Sequence, residues 1–183
     1  MKNKKGFTLI ELLIVIGILG ILATGLLAAV DPFEQLKKAR DTNTRNATVE
    51  MHNGFIRYYA THGALPWDDD GASTACTDNL ADIRSTSTET SVSDISDCVQ
   101  ELIDDGELKE DFIGALGDDA GDIIVTSSSG VSVSVCFSPE SKAIFNDSAT
   151  KYTAYGEDVS ATTCDSDAKD SLTPGTTCYW CAK

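Results

Sequence analysis

Residues 7–30, FTLIELLIVIGILGILATGLLAAV, form one nearly unbroken apolar run with a single charge, Glu11, inside it. From Leu12 to Val30 there are 19 uncharged residues, and at about 1.5 Å rise each they make a helix of roughly 28 Å, long enough to cross the hydrocarbon core of a bilayer. A run of this kind excludes an ordinary soluble cytosolic domain. The 183 residues are therefore read as one globular unit plus an apolar appendage. Lys2, Lys4 and Lys5 precede the run, and basic flanks stay on the cytoplasmic side, which places the amino end inside and everything after Val30 outside.

Glu11 narrows the reading. A carboxylate within such a span costs about 2.5 to 3.5 kcal/mol at mid-helix and less near the edge, and is kept where it has a partner. A secretory signal cut at Ala23-Thr24-Gly25 leaves Glu11 without one, and so does an uncut anchor. Cleavage after Gly6 instead makes Phe7 the first residue, with its ammonium at i and Glu11 at i+4. In a stack of helices, the amine of one copy could equally meet Glu11 of its neighbour. Gly17, Gly20, Gly25 and Ala29 supply small side chains for close helix packing in such a bundle.

The string Lys5-Gly6-Phe7-Thr8-Leu9-Ile10-Glu11-Leu12-Leu13 resembles the class III leader of type IV pilins and pseudopilins. The resemblance extends to Asp31-Pro-x-Glu-Gln-x-Lys-Lys-Ala-Arg-Asp41 and to Tyr58-Tyr59, Gly63 and Leu65-Pro66. It implies cleavage after Gly6 by a prepilin peptidase and methylation of the new Phe7 amine. The mature chain would hold 177 residues, and loss of three lysines would take its net charge from −15 to −18. Further implications are a single-pass stay in the inner (cytoplasmic) membrane, in contact with lipid, followed by delivery through an inner-membrane assembly platform into a helical surface filament of identical subunits. Glu11 is the residue expected to direct that assembly. The alternative within the family is the major pseudopilin of a type II secretion system.

The expected fold is α+β: a long amino-terminal helix, half membrane-spanning and half amphipathic, packed on a small antiparallel sheet. Proline at position 32 predicts a kink or loosening near residues 28–32 with the helix continuing through it, and a proline opening a fresh helix would fit the same residues. Phe33, Leu36, Ala39, Ala47, Met51, Phe55 and Tyr58 recur at helical spacing, and Glu34/Lys38 and Asp41/Arg45 are placed for i, i+4 ion pairs. Gly63 fits a carboxyl-terminal cap. A helix over 7–62 would be about 84 Å long. The divisions expected are a leader at 1–6, a membrane or fibre-core helix at 7–30, an amphipathic helix at 31–66 and an extracytoplasmic disulfide-containing head at 67–183. Residues 68–93, rich in Asp, Ser and Thr, read as a long surface loop. Ile95, Cys98, Val99, Leu102 and Ile103 share a helix face closed by Gly106. Strands are expected at 122–126 and 131–137, around a Ser127–Gly130 turn, and more weakly at 142–145, 151–155 and 178–180.

Six cysteines, Cys76, Cys98, Cys136, Cys164, Cys178 and Cys181, all follow the apolar run, which points to disulfides formed in an oxidising exterior. Six cysteines allow 15 complete pairings. Cys178-Tyr-Trp-Cys181 has the spacing of a redox motif, so a membrane-tethered thiol–disulfide protein is an alternative from another class. Against it, the motif lies two residues from the end of the sequence with no helix after it, and structural bonds to Cys136 or Cys164, with Cys76 joined to Cys98, fit better. Zinc would need Cys164, Cys178 and Cys181 with His52 or His62, both of which lie on the long helix. Calcium would draw on Asp68-Asp69-Asp70, on Asp118, Asp119 and Asp122, or on Asp165, Asp167 and Asp170, the last failing as an EF-hand. Solvated charge is the plainer reading, and no cofactor or metal is assigned. No phosphate loop, nucleophile elbow or HExxH helix is present, which argues against an enzyme. From Gly63 onward, 24 acidic residues face six basic ones, so the head does not suit general nucleic-acid binding. Asn46-Ala47-Thr48 and Asn146-Asp147-Ser148 match N-x-[ST] and are read as chance.

Overall fold

The computed structural model describes residues 6–29, 31–69, 76, 80–84, 88–129, 132–164, 169, 172, 174, 175 and 177–183. The chain divides into two compact units, Met1–Leu36 and Lys37–Lys183.

The first unit is built on α1, Leu9–Ala29. Its stretch Leu9–Leu27 is long and apolar enough to cross a membrane, and none of it is buried within the chain. A helix that is apolar on every side has no face suited to water and is compatible with a membrane anchor. The expected single helix over 7–62 is instead two helices. Asp31 ends the continuity: its Oδ1 accepts the N–H groups of Phe33 (3.1 Å) and Glu34 (3.4 Å), and Pro32 takes the first helical position, where its missing donor costs nothing. The second helix, α2, spans Pro32–His62.

Within the second unit, α2 buries Met51, Phe55 and Tyr58. Gly54 faces α3 (Ser96–Asp104), and a Cβ there would lie 2.9 Å from Leu102 Cδ2, so the close approach of the two helices depends on the missing side chain. Gly63 stops α2 with φ +77° and donates its N–H to the Tyr59 carbonyl at 2.8 Å. The short turn Pro66–Asp68 then sets Trp67 edge-on to Phe55, ring centroids 5.0 Å apart. Cys98, Val99 and Leu102 on α3 are fully buried, and Gly106, at φ +77°, closes the helix. A five-residue helix α4, Phe112–Leu116, follows.

Four strands, β1 (Ile123–Ser129), β2 (Ser132–Phe137), β3 (Thr150–Tyr152) and β4 (Tyr179–Ala182), form a sheet in the order β1-β2-β4-β3. All three pairings are antiparallel. Val133, Val135 and Phe137 of β2 point into the core while Ser132 is exposed, the alternation expected of a half-buried strand. The strand β1 runs through the serines expected to turn, to Ser129; residues 130 and 131 lie outside the described residues.

Three local expectations are corrected. Residues 142–145 are a helical turn, not a strand, because the Ser141 side chain caps it by accepting the Ile144 N–H. Residues 68–93 are not simply a surface loop where they are described. Cys76, Ile83 and Val92 are fully buried, Leu80–Ile83 is helical, and the 90–92 segment pairs with β1 through Val125 N–H to Thr90 O and Val92 N–H to Ile123 O, each 2.9 Å. Asp41 and Arg45 do not pair with each other. Asp41 turns inward, 4% exposed, and accepts from Glu140 N (3.0 Å), Ser141 N (2.8 Å) and Ser141 Oγ (2.5 Å). Arg45 lies over the Trp180 ring of β4 at 4.5 Å. These contacts fasten α2 to the sheet and to the loop after β2.

Candidate processing and assembly site

The residues singled out in the amino-terminal segment form a small polar cluster at the head of α1. Gly6, Phe7 and Thr8 precede the helix, which starts at Leu9, and the Phe7 side chain is 87% exposed. The Gly6–Phe7 bond therefore lies in non-helical backbone. Thr8 is the cap. Its Oγ1 accepts the Glu11 N–H at 3.3 Å, and Glu11 Oε2 accepts both the Thr8 N–H (2.9 Å) and the Thr8 hydroxyl (2.7 Å). This is a reciprocal capping box, in which Thr and Glu three apart satisfy donors at the helix start that have no partner within the helix. The Glu11 carboxylate thus has a structural use within the chain itself, at the positive end of the helix dipole. The Thr-x-x-Glu spacing at Thr8 and Glu11 is the sequence signal for this cap.

The six cysteines form three disulfides, Cys76–Cys98, Cys136–Cys181 and Cys164–Cys178, with none left free. Cys178 and Cys181 go to different partners, which argues against the thiol–disulfide reading. The zinc reading fails for the same reason, since a disulfide sulfur supplies no thiolate. Cys136 and Cys181 stand opposite each other in the β2–β4 register, and Cys164–Cys178 packs on Phe145.

The acidic clusters are used in several ways. Asp68 accepts two bonds from Arg84 Nη2, both 2.8 Å, and Asp69 accepts the Tyr58 hydroxyl at 2.9 Å. Burial first, then the bond to Asp69, pushes the Tyr58 phenol above its ordinary range. Asp118, Asp119 and Asp122 border a hollow of about 150 Å³ shared with Arg40, Asp41 and Glu140. Burial, followed by repulsion from Asp119 and Asp118, raises the Asp122 carboxyl. Asp70 and the trio Asp165, Asp167 and Asp170 lie outside the described residues. Among the described residues no group of three or more His, Cys, Asp and Glu is placed to hold a metal ion. His62 stacks on Tyr58 at 4.0 Å with Nδ1 3.7 Å from Asp105 Oδ2. Half-buried His52 is held below the usual imidazole range chiefly by burial, against opposing hydrogen bonds with Asn53 and the Val133 backbone.

An apolar helix followed by a second helix and a four-stranded antiparallel sheet is a pilin-like α+β arrangement. Residues 1–27 match the family described as the prokaryotic N-terminal methylation motif. The chain therefore carries the class III prepilin-type signal of type IV pilins and pseudopilins. No curated protein and no solved structure matches it.

Proposed function

We propose that the chain is a structural subunit, a prepilin, that is cut after Gly6 by a prepilin peptidase, methylated on the Phe7 amine and assembled into a type IV pilus-like filament. The observation that carries this reading is the methylation motif at residues 1–27 ending in a helix apolar on all sides and uncovered by its own chain. Such a helix waits in the inner membrane with its amino end inside, then trades lipid for the same helix of neighbouring subunits. A head-to-tail contact of identical surfaces does not close on itself, and this is how one chain makes a fibre. An assembly platform in the inner membrane performs the transfer.

Glu11 acts in that packing. Its Oε2 is engaged by Thr8, and the same carboxylate takes the Phe7 ammonium of a neighbour, a pair strengthened by exclusion of water from the fibre core. The cation exists only after proteolysis, so uncut chains do not polymerise.

Expression with and without a prepilin peptidase tests the reading. Amino-terminal sequencing is expected to show Phe7 in the first case and the lysine-bearing leader in the second. A mature chain beginning at Met1 or Leu26 would overturn it. Long sheared surface fibres identify a pilus, whereas short fibres that form only alongside a type II secretion apparatus identify the pseudopilin.

A further inference from the structure

We propose that a hollow beside β3, lined by Asn146, Ser148, Lys151, Ser160 and Lys169, binds a small polyol phosphate, with the two ammonium groups on the phosphate and the hydroxyls and amide on the polyol. The site lies wholly within the second compact unit and is independent of the proposed filament. Lys169 carries the inference. Lysine is almost never fully buried unless it is paired, yet Lys169 is 6% exposed. Its Nζ donates to the Asp147 carbonyl at 2.8 Å and lies 5.8 Å from the centre of the Phe145 ring. An ammonium carries more donors than that one bond uses, and among the described residues no other acceptor reaches it. Burial holds it below the usual lysine range, with the Asp147 carboxylate opposing; that carboxylate accepts the Ala149 N–H at 2.9 Å. Cys164, another lining residue, is bonded to Cys178 and packs with Phe145, Val159 and Leu172, so the wall beside Lys169 is held covalently.

The lining gives the sign and class of the guest. From Gly63 onward six basic residues stand against 24 acidic ones. Two of the six line this hollow, and its described lining holds no Asp or Glu. Elsewhere on the same unit a comparable hollow is lined by Glu89, Asp122 and Glu140. Lys151 is paired with Asp158 at 2.7 Å, but both groups are solvent-exposed enough for a second anion to share the ammonium. Acid farther away than about 8 Å is screened at physiological salt. Lysine binds phosphate as a point charge, and a buried donor that gains such an acceptor is relieved of a desolvation cost. The volume, about 360 Å³, falls within the range of about 300–1,000 Å³ of small-molecule sites, with room for a polyol beyond the phosphate.

The test titrates the full-length chain in neutral detergent with glycerol 1-phosphate, and separately with inorganic phosphate, at constant ionic strength, following both ligands by phosphorus NMR. Glycerol 1-phosphate is expected to bind more tightly than inorganic phosphate. Lys169→Met and Ser148→Glu are each expected to weaken its binding at least about tenfold, while Lys109→Gln, outside the hollow, leaves it unchanged. Ser148 is exposed, so Ser148→Glu sets a carboxylate at the mouth without disturbing the core, and decides the question even where Lys169→Met fails to fold. No binding of glycerol 1-phosphate would overturn the proposal, as would binding that Ser148→Glu and a folded Lys169→Met leave unchanged, or that Lys109→Gln weakens equally. Inorganic phosphate binding as tightly as the ester would overturn the contacts assigned to the polyol.

Discussion

Thr8 and Glu11 were both visible in the sequence, three apart at the start of an apolar run, and the structure joins them by three hydrogen bonds. The cap is local, so it can be read from spacing alone. Thr8→Val keeps the shape and removes the hydroxyl. It is expected to cost the helix start about 1 kcal/mol, seen as faster amide exchange at residues 9–11 in detergent, with Thr8→Ser restoring protection. Asp41 was not legible, because Glu140 and Ser141 are about a hundred positions away and helical spacing offered Arg45 as a nearer partner. Asp41→Ala leaves the part-buried Glu140 N–H and the buried Ser141 N–H and hydroxyl without their acceptor. The expected loss is about 3 kcal/mol, or a Tm lower by roughly 6–12 °C for a unit of this size; an unchanged Tm would remove the anchor role. His52 sets a pH dependence. Burial lowers its folded pKa below the ordinary value of 6.5, so the unfolded chain binds the proton first. Its contribution to stability is full above pH 6.5 and is lost as pH falls through the depressed folded value. His52→Gln should flatten that part of a Tm-against-pH curve.

At the scale of elements, periodicity located α3, β1 and β2, since each buries one face against the core, and Gly63 marked the end of α2. It failed where a cap or a bond made elsewhere decided the outcome. The 142–145 segment has the β-branched and aromatic residues of a strand, yet the Ser141 cap and a buried Phe145 make it a turn of helix. The polar 68–93 segment looked like loop because its few apolar residues, Ile83 and Val92 among them, are widely spaced; the bond from Cys76 to Cys98 and the pairing with β1 give them a core to enter. Cys136–Cys181 closes 45 residues and is expected to add about 4 kcal/mol by restricting the unfolded chain. The double variant Cys136→Ser, Cys181→Ser should fall in urea midpoint accordingly, without loss of α1 insertion. Asp122 carries the opposite sign. Its raised carboxyl favours folding below the unfolded value of 3.8, and that contribution is lost as pH rises through the folded value. Asp122→Asn is therefore expected to raise Tm at neutral pH, by a modest amount because the residue is exposed to solvent.

The whole molecule was the most legible level. One apolar run after a basic stretch and six cysteines confined to the residues beyond it were enough to anticipate a membrane-directed first helix and a disulfide-bonded remainder, because those features are properties of sequence order and need no tertiary contact; the pilin-like α+β arrangement was implied by the resemblance of Lys5 to Leu13 to the class III leader. The split of the first helix at Asp31 was the exception, decided by whether proline starts a helix or bends one. In the proposed filament the surplus of acid after Gly63 belongs to a surface that faces water and the apolar α1 to one that does not, which puts the driving force for assembly at the amino end. Glu11→Ala is expected to insert and be cut as the parent chain is, yet to yield at least tenfold less sheared fibre, given that a charge pair in a dry core contributes more than about 1.4 kcal/mol. The most direct measurement is intact-mass analysis of subunits recovered from sheared filaments. A polypeptide starting at methylated Phe7 with all six thiols oxidised is the predicted result; filaments built from chains that keep Lys2, Lys4 and Lys5 would contradict it.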